Sequence, residues 1–303
     1  MNTEFHYYCN YLITCRAGYS PEESVILANS SQLTDDNHFI YHIGDYTNYI
    51  SQTENILKPR MSLLRIYPLF HFIPGNYRSD DARRKDGKMH LLNTTPGSTH
   101  ARRIFRTIKG KNDLYSLGIA CHAFVDTYAH QNFVGYYENF NSLKGVLANV
   151  SPNIGHADAL TQPDIIGLVW KDIRLMNEDR DNNAIFLNAA SDLFTELGGQ
   201  NKNREELLID LNQLFQFKTT RERIDFVRFL STTAAYGRTL LPLYKYNQWL
   251  NECSKNRFFY RVPRKNFTSS HWYKFQEAVK DYQNVAWDIL KTKVFSKMNL
   301  EKL

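Results

Sequence analysis

Apolar residues recur at helical spacing along most of the chain. Ser20-Pro21-Glu22-Glu23 has the form of a capping box with proline at the first helical position, so an amphipathic helix is predicted from there through about Leu33. Thr99 to Ile108 and Asp113 to Gln131 carry the same period, separated by the Lys109-Gly110-Lys111 break, with Asn112 or Asp113 available to cap the second helix. Beyond an Asn-rich loop at 139–153 the period returns at 164–179, 184–198, 204–216, 220–237 and 270–291. Residues 39–77 are rich in Tyr, Ile and Phe but alternate irregularly, which suits short strands or loops. No repeat is visible, and no Pro/Gly/Ser linker divides the chain. The expected architecture is mainly α: one multi-helix domain over residues 1–303, with an irregular or short-strand insertion near residues 36–97.

Composition adds limits to this picture. A chain of 303 residues that is 43% hydrophobic can bury a sizeable core. There is no run of 18 apolar residues, so no transmembrane segment is expected. The opening Met-Asn-Thr-Glu-Phe-His has no basic region followed by an apolar one, and no Sec-type signal is expected either. Cys9, Cys15, Cys121 and Cys253 are scattered without a CxxC pair, which suits free thiols in a reducing compartment. These features together predict a cytoplasmic protein, although secretion without a cleaved signal would leave no mark in them.

Charge is uneven. Between Arg78 and Lys111 stand ten Lys or Arg against Asp80, Asp81 and Asp86, a larger local excess than the +6 of the whole chain. A second group, Lys255, Arg257, Arg261, Arg264 and Lys265, surrounds Phe258, Phe259 and Tyr260. Basic residues interleaved with aromatics suit phosphate groups on nucleic acid or on an anionic membrane surface. A solvated basic face is the plainer reading.

The strongest chemical signal lies at residues 122–130, His-Ala-Phe-Val-Asp-Thr-Tyr-Ala-His. At about 100° per residue, His122, Asp126 and His130 fall within roughly 80° of one another and form one stripe. Leu114, Leu117, Cys121, Phe124, Val125 and Tyr128 give a separate apolar face, and Gly118 removes bulk on the stripe's side. A rise of about 1.5 Å per residue puts the two histidines about 12 Å apart along the axis, too far to share one ion. Two ions with Asp126 between them would satisfy the stripe, and hydrolysis is the first chemistry to consider. The alternative is a core helix whose histidines hydrogen-bond to carbonyls or to Asp126.

A two-metal site needs further ligands. His6, Asp35 and Asp36 after the capped helix, His71 among apolar neighbours, and His156 followed by Asp158 and Asp164 are the candidates. Such a mixed imidazole and carboxylate set suits zinc, with manganese or iron as second choices, rather than magnesium or calcium.

Taken in order, these motifs resemble the zinc-dependent phospholipase C and S1/P1 nuclease superfamily, and look most like a bacterial branch related to it. The resemblance runs over spaced motifs from about residue 6 to 164, including His-Tyr-Tyr-Cys-Asn-Tyr, Leu-Gly-Ile-Ala-Cys-His-Ala-Phe-Val-Asp-Thr-Tyr-Ala-His-Gln and Asn-Ile-Gly-His. It implies that Asp35, His71, His122 and Asp126 surround one zinc. His130, His156 and an acid from Asp158 or Asp164, with Asp164 preferred, surround another. His6 belongs to a third ion sharing Asp126, or joins one of the first two. Secreted members of that superfamily also use the α-amino group and carbonyl of a processed N-terminal tryptophan, whereas here Met1 to Phe5 precede His6. The interval from Asp126 to His130 is shorter than usual, and the usual acid position after His156 falls on Leu160.

The resemblance therefore implies a phosphodiester hydrolase with two or three zinc ions, which activate water by lowering its pKa towards about 7. Asp35 or Asp36 would orient that water, and an Arg or Lys from 78–109 would hold a phosphoryl oxygen. A phospholipid is the favoured substrate and nucleic acid, stacked on Tyr136, Tyr137 or Phe140, the alternative. A further alternative is an interaction protein that keeps metal only for stability. No His-Asp dipeptide, Glu-x-x-His pair, phosphate loop or Gly-x-Ser-x-Gly elbow points to a different enzyme class.

Overall fold

The computed structural model describes residues 1–53, 60–143, 154–257 and 260–300. The chain is mainly helical, with small strand insertions. A π-helical turn over Glu4–Cys9 runs straight into α1 (Asn10–Ala17). The predicted capping box opens α2 (Pro21–Asp36): Ser20 Oγ accepts from the Glu23 amide, and the Glu23 carboxylate accepts from the Ser20 amide. This helix continues a turn beyond the predicted end at Leu33, which places Asp35 and Asp36 on its last turn.

The irregular segment holds β1 (His42–Ile43), β2 (Tyr46–Thr47), α3 (Arg60–Leu64) and α4 (Tyr67–Phe70). Then come α5 (Thr99–Lys109) and α6 (Leu114–Ala129), the latter capped by Asp113 through the Ser116 amide at 2.8 Å. Helix α6 is buried from Tyr115 to Ala129 and packs against α2, α5, α7 (Asn182–Leu197) and α11 (His271–Lys293). Between them lie α8 (Asn201–Gln216), α9 (Thr220–Ser231) and α10 (Gln248–Cys253). One hydrophobic core runs through these helices and contains residues from Met1 to Phe295.

Two predicted helices differ from the structure. Residues 164–179 instead form a 3-10 turn ending at Asp164 and a hairpin of β3 (Val169–Lys171) and β4 (Asp179–Asp181). Gly167 at φ +84° and the buried ion pair of Asp172 with Arg174 shape this segment locally, so its apolar spacing does not form a helix. Helix α9 stops at Ser231, and a 3-10 turn at Ala234–Tyr236 leads to Gly237 at φ +88°. Of the Asn-rich loop predicted at 139–153, residues 144–153 lie outside the described residues, as do Phe258 and Phe259. A second small hairpin, β5 (Ser254–Arg257) and β6 (Tyr260–Pro263), joins β1 and β2 in the order β2-β1-β6-β5.

Among the described residues, no helix is long and apolar enough to cross a membrane. All four cysteines are free thiols.

Helices α2 and α6 approach closely at Gly118 of α6. A Cβ there would lie 2.5 Å from Ser30 Cβ and 2.6 Å from the Leu27 carbonyl oxygen of α2. An exposed helical Gly→Ala change stabilises by about 1 kcal/mol. Here overpacking against backbone dominates, so Gly118→Ala should lower the unfolding free energy by about 1–3 kcal/mol in urea titrations. Equal or greater stability would show that α2 and α6 do not meet this closely.

Candidate metal centre

Helix α6 carries His122 and Asp126 one turn apart on its inward stripe, and both are fully buried. The last turn of α2 brings in Asp35, the one partly exposed member, and the residue just after α4 brings in His71. Their donor atoms converge. His122 Nε2 lies 3.0 Å from His71 Nδ1 and 3.1 Å from Asp126 Oδ2. His71 Nδ1 lies 3.3 Å from Asp126 Oδ2, and Asp35 Oδ1 lies 3.6 Å from each of the two histidine nitrogens. The His71 Nε2 atom is 2.9 Å from the Ser51 carbonyl, a contact that takes the ring proton and turns the Nδ1 lone pair inward.

A second group forms around His130, His156 and Asp164. His130 is the C-cap of α6 (φ −89°, ψ 16°), with its Nδ1 still 3.6 Å from Asp126 Oδ2. Its Nδ1 is 2.8 Å from the His71 carbonyl, leaving Nε2 at 3.1 Å from Asp164 Oδ1. His156 is set in the same way: Nδ1 is 2.7 Å from the Leu160 carbonyl, and Nε2 is 3.5 Å from Asp164 Oδ2. Gly155 at φ +53° precedes it, where a Cβ would run into the Phe72 ring at 2.5 Å.

Between the two groups stands the Met1 α-ammonium, 2.6 Å from Asp126 Oδ1 and 3.1 Å from Asp164 Oδ1. Burial opposes its charge, but Asp126, Asp164 and Asp35 outweigh this and push its pKa up to about 11. Burial would likewise protonate Asp126, yet His130, the Met1 ammonium, His122 and His6 hold it well below the usual carboxylate range. His6 and His122 are lowered to about 4, first by burial and then by the neighbouring cations, so both are neutral and able to act as ligands at pH 7.

The donor set fits metal. Four donors about 2.0–2.1 Å from one ion in a tetrahedron stand about 3.3–3.4 Å apart. The five measured separations in the first group, 3.0–3.6 Å, bracket that value. Hydrogen bonds within the protein leave the cluster incomplete: both ring nitrogens of His6 and the Nδ1 of His122 are buried without a hydrogen-bond partner. Buried imidazoles without partners are costly unless something else binds them. His6 Nε2 lies 3.1 Å from Asp126 Oδ1, on the ammonium side of that carboxylate, and its ring stacks on His122 at 4.0 Å. It reaches the cluster but belongs to neither compact group.

Other sequence candidates lie elsewhere. Asp36 points away from the donors and accepts from Tyr244 Oη at 2.6 Å and Gln32 at 3.2 Å, because successive positions on a helix face about 100° apart. Asp158 accepts from the Leu143 amide at 3.1 Å and stands outside the group that Asp164 completes. The basic run at 78–111 is largely spent on structure. Arg84 pairs with Asp86 and the Phe140 carbonyl, Arg102 with Asp192 and Glu196, Arg106 with Glu196, and Lys85 with Glu178.

A cavity of about 370 Å³ opens over both groups, with Asp35, His71, His130, His156 and Asp164 in its walls. No lysine or arginine lines it among the described residues, and neither does Tyr136, Tyr137 or Phe140. Its other walls are Gln52, Tyr67, Phe72, Ile154 and Leu160, none of which the sequence analysis placed at the site. Tyr67, one turn before His71, and Phe72, next to it, had a local signal in their spacing. Gln52 and the Ser51 carbonyl had none.

Metal content measured by inductively coupled plasma mass spectrometry on the purified full chain should give at least two ions per molecule. His122→Ala and His156→Ala should each lose about one, and Asp126→Asn more than either. A metal-free wild type after loading and desalting would refute the site.

No curated protein and no solved structure matches the chain. A family model covers nearly its whole length. The chain belongs to the family of unknown function DUF6765, whose model matches residues 1–290.

Proposed function

We propose that this protein is a metal-dependent phosphodiester hydrolase, with zinc as the ion and a phospholipid-like substrate, as the resemblance to the phospholipase C and S1/P1 nuclease superfamily implies. One observation carries the reading: three buried donors and the partly exposed Asp35, on three separate elements, sit at the mutual distances of ligands to one ion, beside a second histidine and carboxylate group at the wall of an open cavity. In this reading Asp35, His71, His122 and Asp126 hold one ion and His130, His156 and Asp164 another, with His6 beside the Asp126 carboxylate. When bound, such ions acidify water and neutralise phosphoryl charge.

The chain's own residues do the rest. The Ser51, His71 and Leu160 carbonyls orient the imidazoles. Asp35 is partly exposed at the cavity wall, and burial raises its carboxyl pKa. Oδ1 faces His71 and His122, and Oδ2, 3.7 Å from His6 Nε2, is the oxygen that would take a proton from an attacking water. The Gln52 side-chain oxygen accepts from the Thr53 amide, so its amide N–H groups are the part of this cavity-wall residue that would donate to a substrate. Tyr67, Phe72, Ile154 and Leu160 exclude water around it.

The absence of lysine and arginine from the described cavity walls favours a compact lipid phosphodiester over a nucleic-acid strand, whose backbone needs a basic track. A metal kept only for stability would have closed coordination, whereas Asp35 stands open to the cavity.

The test is zinc-loaded protein assayed on phosphatidylcholine and on single-stranded DNA and RNA, with products identified. Hydrolysis of the lipid is expected, and Asp126→Asn should abolish it, at least a hundredfold, together with metal binding. Nuclease turnover with untouched lipid would reverse the substrate order. A fully metallated, active Asp126→Asn protein would remove the central ligand from the scheme.

A further inference from the structure

The four-stranded sheet has an unusual outer face. In its register Lys255 lies opposite Val262 and Arg257 opposite Tyr260, so these four side chains share one face; Arg261 turns to the other, over the Tyr41 ring. That outer face is solvent-exposed, yet Tyr260 is 62% exposed and Val262 38%. Further exposed apolar residues stand on the chain just before β1. Phe39 and Ile40, 51% and 55% exposed, follow Asp35 by only four and five residues, within about 18 Å of it at full extension. Phe39 packs 6.3 Å from Tyr41 on the Arg261 side of the sheet, and the Tyr41 hydroxyl is 3.4 Å from that of Tyr246. Lys245, Lys255, Arg257, Arg264 and Lys265 are exposed around these apolar residues and form no ion pair with any described residue. The acids in the same stretches are Asp45 and Glu252.

We propose that this tract is a docking surface for an anionic lipid bilayer. Exposed aromatics bury their rings at the level of lipid headgroups, while the surrounding ammonium and guanidinium groups meet the negative surface. Nucleic acid would use the same charges and could stack on Tyr260, but Ile40 and Val262 offer a base nothing to stack on and gain most from hydrocarbon. The inference concerns binding alone and holds whether or not the cavity is catalytic.

The experiment is co-sedimentation of the full chain with vesicles of phosphatidylcholine alone and of phosphatidylcholine mixed with phosphatidylserine, at low and high salt, with a single-stranded oligonucleotide as competitor. Binding should require the anionic lipid and weaken with salt. K255Q/R257Q, on the exposed hairpin, should weaken it by about fivefold per charge removed. F39S/I40S/Y260S should reduce it further, with circular dichroism and metal content unchanged. Equal binding to neutral vesicles, no binding to either, indifference to both variants, or displacement by the oligonucleotide at lower concentration than lipid would each overturn the proposal.

Discussion

A carboxylate with no access to water must be surrounded by donors or cations, and Asp126 is such a carboxylate, at the centre of the fold on its most buried helix. Much of the architecture serves that requirement. The first residues of the chain bring an ammonium and His6 to one oxygen, and α6 and the residue after α4 bring His122 and His71 to the other. Helix α2 can reach the same point with Asp35 because Gly118 lets it lie almost against α6. Packing and site are therefore one arrangement: the contact that closes the core also sets the carboxylate separation.

Main-chain carbonyls do the fine positioning. Ser51, His71 and Leu160 each hold a ring nitrogen of a candidate ligand, and each lies in irregular chain. An imidazole on a helix has its Cα placed but its tautomer undecided until the opposite nitrogen finds a partner. The segments between the helices thus decide which lone pairs converge, and the irregular stretch between α2 and α5 is part of the site.

The chain's two basic regions have different fates. The denser one, at 78–111, is largely neutralised by Asp86 within it and by Glu178, Asp192 and Glu196 from distant segments, and it braces helices and loops. The sparser one on the β5–β6 hairpin, apart from Arg261, faces solvent without an ion pair among the described residues, beside the exposed Tyr260. Local density of charge was a poor guide to availability, because the acids that neutralise the first region come from 90 or so positions away.

The sequence by itself determined the helices whose caps and periods are local: the Ser20 capping box, the Asp113 cap, and the run that places His122 and Asp126 on one stripe. It also supplied the roster of histidines and aspartates, since residue type and order are readable directly. Only the tertiary structure decided which of them meet. Asp35 and Asp36 are equivalent on paper, and helix rotation separates them; Asp158 and Asp164 are separated by a turn at Pro163; His130 leaves its helix at the cap. The apolar period at 164–179 became a hairpin for a related reason, because a glycine at positive φ and a buried Asp172–Arg174 pair act where periodicity carries no information. Spacing along a chain reports direction around a helix axis, whereas ligation requires atoms from α2, α4 and α6 to arrive within a few ångströms, and that distance exists only after the helices have packed.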